Sequence, residues 1–278
     1  MSNAVRFLAV LSVACLVSIY ALSQVRTGTI VVVLFTEEKL VFAGDSLVSA
    51  IQADGRTERD YRDCKIATFG NKVIFAGSGT LGETGVWVSA EQAKIAYEMA
   101  TIKRGADLPI EVTRNWAEAV KGPLAMTYLT HKAVMDARMP DGKLGNAYFG
   151  GVDGKGDLWL TFTKFFVVSG VVKYESYKFS PAACTPICGT GEIDVAVEFS
   201  QLASDRAKAE SASWSPSKSY SPEDRDILRM IRLVDLSIAD DEARQIGKIG
   251  GPIDAVELKS GGAVRWFSRK SNCPENQD

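Results

Sequence analysis

Two runs of apolar and β-branched residues, Thr29–Thr36 and Lys39–Ser46, stand on either side of Glu37-Glu38. Runs of this kind separated by a short polar pair read as the two strands of a hairpin. Neither run alternates apolar with polar residues, so both faces of each strand have to be covered. A chain that holds such strands must therefore supply a layer on each side of their sheet.

The rest of the sequence supplies candidates for those layers. Lys65–Phe69 and Lys72–Gly79 read as a second hairpin around Gly70-Asn71, and Gln52–Asp63 between the hairpins is a polar surface excursion. Glu83–Arg104 carries Val86, Ala90, Ala93, Tyr97 and Ala100 at helical spacing, and Ile110–Arg138 reads as a second helix after Pro109. Strands return at Asn146–Gly151, Leu158–Thr163 and Phe165–Lys178. Glu192–Lys208 reads as helical, Ala209–Ser221 as a Ser-rich loop, and Pro222–Gln245 as a helix opened by Ser-Pro-Glu-Asp. Pro252–Leu258 and Ala263–Ser268 form a closing hairpin, and 271–278 is a polar tail. Strand pairs and helix pairs in this order predict an α+β chain with two sheets stacked face to face, each covered by helices, a four-layer αββα sandwich. One domain, residues 29–270, accounts for all of it.

Composition narrows the function. Hydrophobic residues are 46 % and charged residues 24 % of 278, and the formal net charge is -2 with both signs interleaved. That leaves no basic field for a nucleic-acid partner.

Before the first hairpin, Arg6 precedes the uncharged apolar run Phe7–Leu22. Ala21 and Ser23 are small residues placed for signal-peptidase cleavage before Gln24. The expectation is a signal peptide over residues 1–23 and a secreted or periplasmic protein. The alternative is a membrane anchor formed by an uncleaved 7–22 segment. Without Cys15, the chain keeps Cys64, Cys184, Cys188 and Cys273, an even number compatible with two disulfides in any of three connectivities. A single histidine, His131, argues against a His/Cys zinc site and reads as structural or exposed.

The segment GTIVVVLFTEEKLVFAGDS, from Gly28 to Ser46, resembles the opening of proteasome β-type subunits, which are N-terminal nucleophile (Ntn) hydrolases. Asp45 stands at the family's distance from Thr29. Asp-Cys-Lys-Ile at 63–66 resembles its lysine segment, Phe-Ala-Gly-Ser-Gly at 75–79 its oxyanion loop, and Ile-Cys-Gly-Thr-Gly at 187–191 its Gly-Ser-Gly turn with Thr190 in place of serine. The resemblance spans most of the chain after residue 28 and is dense over Gly28–Gly79.

What the resemblance implies is a threonine protease or amidase acting on a peptide or small amide, without metal or organic cofactor. Cleavage after Gly28, which would remove a short propeptide 24–28, makes Thr29 the first residue and nucleophile. A threonine hydroxyl needs a base, and the α-amine of Thr29 can serve. Lys65 would bias that amine toward its neutral form, and Asp45 would hold Lys65. The Gly79 N–H would meet the oxyanion, a contact typically worth about 2.7–4 kcal/mol. Thr190 is a candidate hydroxyl partner, and assembly into a homo-oligomer is expected.

The sequence also departs from the family. An aspartate and a serine usually precede its late Gly-Gly pair, whereas Ile246-Gly247-Lys248-Ile249 precedes Gly250-Gly251 here. The alternative expectation is a catalytically inactive scaffold or binding subunit that keeps the fold.

Overall fold

The computed structural model describes residues 24–28, 30–52, 55–60, 64–103, 107–184, 188–191, 221–243 and 249–270. The expected signal segment, the Glu192–Lys208 helix, most of the Ser-rich loop and the tail lie outside them. So does Thr29 itself.

Strands β1 (Val25–Gly28), β4 (Val48–Ile51), β5 (Thr57–Asp60), β6 (Ile66–Phe69), β7 (Val73–Glu83), β8 (Trp87–Val88), β9 (Lys143–Val152), β10 (Leu158–Val168) and β11 (Val171–Phe179) form a nine-stranded sheet. Its path runs β11-β10-β9-β7-β1-β4-β5, with β6 and β8 also pairing with β7. Strands β2 (Ile30–Phe35), β3 (Lys39–Gly44), β12 (Cys188–Gly191), β13 (Asp254–Lys259) and β14 (Val264–Ser268) form a five-stranded sheet in the order β12-β2-β3-β13-β14. All pairings are antiparallel. The chain is therefore α+β with two antiparallel sheets. Four α-helices accompany them among the described residues: α1 (Ser89–Ile102), α2 (Leu108–Thr130), α3 (Lys132–Arg138) and α4 (Arg225–Ala243).

The first hairpin shows why its strands lack alternation. Val31 and Val33 of β2 pack with Ile74 and Ala76 of β7, Tyr148 of β9 and Leu160 of β10 in a core between the two sheets. Ile30 and Val32, on the other face of β2, pack with Ile227, Met230 and Val234 of α4. Strand β7 divides the same way, because Val73 and Phe75 face a third cluster with α1 and α2. Trp116 of α2 centres that cluster, with ring centroids 5.6 Å from Phe75, 5.6 Å from Phe149 and 5.5 Å from Phe165. Fully burying a Val or Ile side chain contributes about 1.5–3 kcal/mol, so each two-faced strand stabilises the layers on both of its sides.

Several boundaries differ from the sequence reading. Thr57–Asp60 is not excursion but edge strand β5, whose four polar residues face no core and keep the edge charged. Helix α1 begins at Ser89 rather than near Glu83, because β7 runs on to Glu83 and β8 folds back onto it. Val86 consequently lies in a turn and is exposed. The expected 110–138 helix opens at Leu108 with Pro109 in its first turn and breaks at His131 into α2 and α3. The single strand expected over Phe165–Lys178 is two. Ser169 (φ 51°) and Gly170 (φ 76°) make the tight turn between β10 and β11, with positive φ at both central residues as such hairpins require.

Candidate functional site

The chain leaves the nine-stranded sheet at Gly28 and joins the five-stranded sheet at Ile30. The expected nucleophile Thr29 lies outside the described residues, but both of its neighbours are described. Asp45 follows directly on β3, and Lys65 directly precedes β6. Lys65 donates from Nζ to Asp45 Oδ1 at 2.5 Å, and the two side chains are 1 % and 0 % exposed.

Asp45 also accepts three main-chain N–H groups. Ile30 N donates to Oδ1 at 3.1 Å, while Leu47 N at 3.2 Å and Gly250 N at 3.1 Å donate to Oδ2. An ionised carboxylate offers about four acceptor sites, so this cluster of donors satisfies a buried anion. On the other side of residue 29, the stem of Lys65 lies against Gly28: a Cβ built there would be 2.7 Å from Lys65 Cε. The buried pair thus reaches the residue before Thr29 through the lysine and the residue after it through the aspartate.

Gly79 lies opposite Gly28 in the β1–β7 register and opposite Gly145 in the β7–β9 register. Its φ is 75°, and a Cβ there would sit 2.5 Å from Gly145 Cα. Only glycine combines that backbone conformation with so close an approach of β9. Thr190 enters through its backbone: β12 pairs with β2 so that Thr190 lies opposite Val31 and Gly191 opposite Ile30. The end of β12 is therefore beside the residue that follows Thr29. The Thr190 side chain lies outside the described placements.

No family model matches this chain, and no curated protein matches it either.

The site contains groups the sequence reading did not single out. The turn Asp45–Leu47 is clasped by the segment from Gly250 to Pro252. Ser46 N and Leu47 N donate to Gly250 O at 3.2 and 2.9 Å, and Ser46 Oγ donates to Pro252 O. Asp241 near the end of α4 accepts Ile249 N at 3.2 Å, which ties the helix to the same clasp. The segment thus offers a main-chain donor, Gly250 N–H, to Asp45. A main-chain group leaves no letter in the sequence, so nothing there could have signalled it.

Asp254, at the start of β13 and opposite Gly44 of β3, is a second buried carboxylate, 1 % exposed. Its Oδ1 accepts the Lys270 N–H at 2.9 Å, and its Oδ2 lies 3.8 Å from Lys270 Nζ with no hydrogen-bond partner. Burial raises its pKa above the ordinary carboxylate value, while the Lys270 N–H and the charges of Lys270, Lys65 and Arg269 pull the other way.

His131 and the Gly-Asp-rich stretch at 150–157 have structural roles. His131 is buried, with Nε2 3.4 Å from Glu83 Oε1, and Thr127 Oγ1 donates to Glu83 Oε2 at 2.6 Å. Trp87 Nε1 donates to Thr127 Oγ1 at 2.9 Å, so the cluster fastens β7 and β8 to the end of α2. The Gly-Asp-rich stretch at 150–157 closes the β9–β10 turn, with Asp153 Oδ1 accepting Lys155 N at 2.8 Å and Asp157 N at 3.0 Å. Cys64 and Cys188 are both disulfide-bonded.

Proposed function

We propose that this chain is a threonine-type N-terminal nucleophile hydrolase of the proteasome β-subunit kind, with a four-layer αββα architecture and Thr29 exposed by cleavage of the Gly28–Thr29 bond. The observation that supports it best is the buried Asp45–Lys65 pair, which touches the residues on both sides of Thr29. A buried ion pair costs desolvation and is weak evidence for stability, so its position at this crossing point favours a chemical role.

In the precursor the Thr29 hydroxyl attacks the Gly28 carbonyl carbon. The C–N bond breaks, the nitrogen leaves as the Thr29 amine carrying the hydroxyl's proton, and Gly28 is held as an ester. Water then cleaves the ester, releasing the Gly28 carboxylate and restoring the hydroxyl. A free α-amine has a pKa of about 7.7–8.0, and an adjacent lysine ammonium disfavours its protonated form. It can therefore take the hydroxyl proton when a substrate carbonyl is attacked and return it to the leaving amine. The Gly79 N–H is the proposed oxyanion donor, and Thr190 the proposed hydroxyl partner.

Loss of residues through Gly28 removes β1 from between β4 and β7, both antiparallel to it. An extended peptide can enter such a slot by main-chain pairing, which makes a peptide or peptide-like amide the substrate class. Export belongs to the same proposal. Disulfide-bonded Cys64 and Cys188 suit an oxidising compartment. Assembly into a homo-oligomer follows from the resemblance.

The inactive-scaffold reading has an observation of its own. Strand β1 is hydrogen-bonded into the sheet on both edges and Val25 is fully buried, which is how a retained extension would sit. Reaction with a threonine-directed electrophile separates the readings. Labelling that disappears in Thr29→Ala supports catalysis, and a processed protein that does not label supports the scaffold.

A further inference from the structure

Gly28 lies between β4 and β7, opposite Val48 and Gly79, and is the acyl-side residue of the bond whose cleavage is proposed above. The space around it is closed. A Cβ built on Gly28 would lie 2.5 Å from Leu81 Cδ1, 2.7 Å from Lys65 Cε and 3.3 Å from Lys65 Cδ. Carbon atoms in good contact stand about 3.5–4.0 Å apart, so even a methyl group requires one of these walls to move.

Neither wall moves freely. Lys65 is tied by Nζ to Asp45 at 2.5 Å, and drawing it back would break the buried pair. Leu81 is 9 % exposed, and its other methyl occupies the space beside Gly77. A Cβ on Gly77 would stand only 3.1 Å from Leu81 Cδ2, so the missing side chain at Gly77 is what lets Leu81 lean across the slot toward Gly28.

We infer that the opened site selects glycine on the acyl side of the bond it cleaves, with Leu81 as the specificity-determining residue and the Lys65 stem as the second wall. This rests on the hydrolase reading above. The substrate class is then an extended peptide, or a peptide-like amide, containing a Gly–X bond. The same steric filter passes the chain's own Gly28–Thr29 bond.

The test uses processed wild-type protein and its Leu81→Ala and Leu81→Val variants. The substrates are fluorogenic peptides identical except for Gly, Ala, Val, Leu or Arg on the acyl side. A single methylene changes kcat/KM by about 10–200-fold in a closed pocket, so wild type should favour Gly over Ala by at least about tenfold, and over Leu and Arg by more. Leu81→Ala should move the Ala-to-Gly ratio toward Ala by about tenfold or more, with Leu81→Val between. Equal hydrolysis of Gly and Leu substrates by wild type, or an unchanged ratio in both variants, overturns the inference.

A second measurement is independent of chemistry. In the uncleavable Thr29→Ala chain, Gly28→Ala should lower the melting temperature, and adding Leu81→Ala should recover part of the loss. No drop with Gly28→Ala overturns the steric wedge. Wild type that is processed and labelled yet unselective refutes only the specificity. Wild type that neither processes nor labels refutes the hydrolase reading instead.

Discussion

Replacing Asp45 with Asn in the Thr29→Ala chain removes the negative charge shared by the Lys65 ammonium and the Ile30, Leu47 and Gly250 N–H groups. The amide keeps one acceptor oxygen and turns a donor toward some of these donors. Removing one member of a buried pair costs about 3–5 kcal/mol, because the other charge is left in a dry site. Replacing Lys65 with Met removes one donor and leaves the carboxylate with its three main-chain N–H groups. Its cost should stay nearer the 1–3 kcal/mol of a single lost buried hydrogen bond, roughly. The ordering is thus Asp45→Asn well above Lys65→Met. Urea unfolding at neutral pH measures both, with unchanged m-values required so that midpoints report stability. Domains of this kind have about 5–15 kcal/mol in total, so Asp45→Asn should remove a sizeable fraction of the stability. A Lys65→Met cost equal to or above that of Asp45→Asn, or an Asp45→Asn cost under about 1 kcal/mol, would refute the assignment of Asp45 as the hub.

Two further outcomes test other parts of the site. Gly79→Ala forces a Cβ to 2.5 Å from Gly145 Cα at a φ of 75°. Overpacking alone costs about 1–3 kcal/mol, so its melting temperature should fall by several degrees, and a wild-type value would show that β9 can yield. Asp254 binds its proton more tightly folded than unfolded, since burial raises its pKa. Its stabilising contribution is complete below the ordinary value of 3.8 and is lost as pH rises through the raised value. The stability of wild type relative to Asp254→Asn should therefore decline as the pH is raised above 3.8, and urea midpoints that decline equally in both would contradict this.

The sequence and the structure agree most closely where pattern has a direct physical cause. Thr29–Thr36 and Lys39–Ser46 were legible as two-faced strands because β2 and β3 bury one face on the other sheet and the other on α4. Gly70-Asn71 announced its turn because both residues adopt positive φ, which few residue types tolerate. The misreadings have equally local causes. Val86 fits helical spacing, yet a strand pairing between β7 and β8 outcompetes the helix there. Thr57–Asp60 has no apolar face, so nothing marked it as an edge strand.

Of the candidate site, the positions of Asp45, Lys65 and Gly79 were legible. Asp45 and Lys65 pair, and Gly79 lies opposite Gly28. Its supports were not legible. Gly250 contributes a main-chain N–H, and Asp254 reads as an ordinary strand start until β13 carries it alongside β3. Leu81 is one apolar residue among many until its methyl is seen against Gly28.

The intact mass and N-terminal sequence of the purified wild-type protein, beside Thr29→Ala, test the central claim most directly. The account predicts that wild type begins at Thr29 while Thr29→Ala keeps the residues through Gly28. Wild type that retains Gly28 under the same conditions as Thr29→Ala would contradict it.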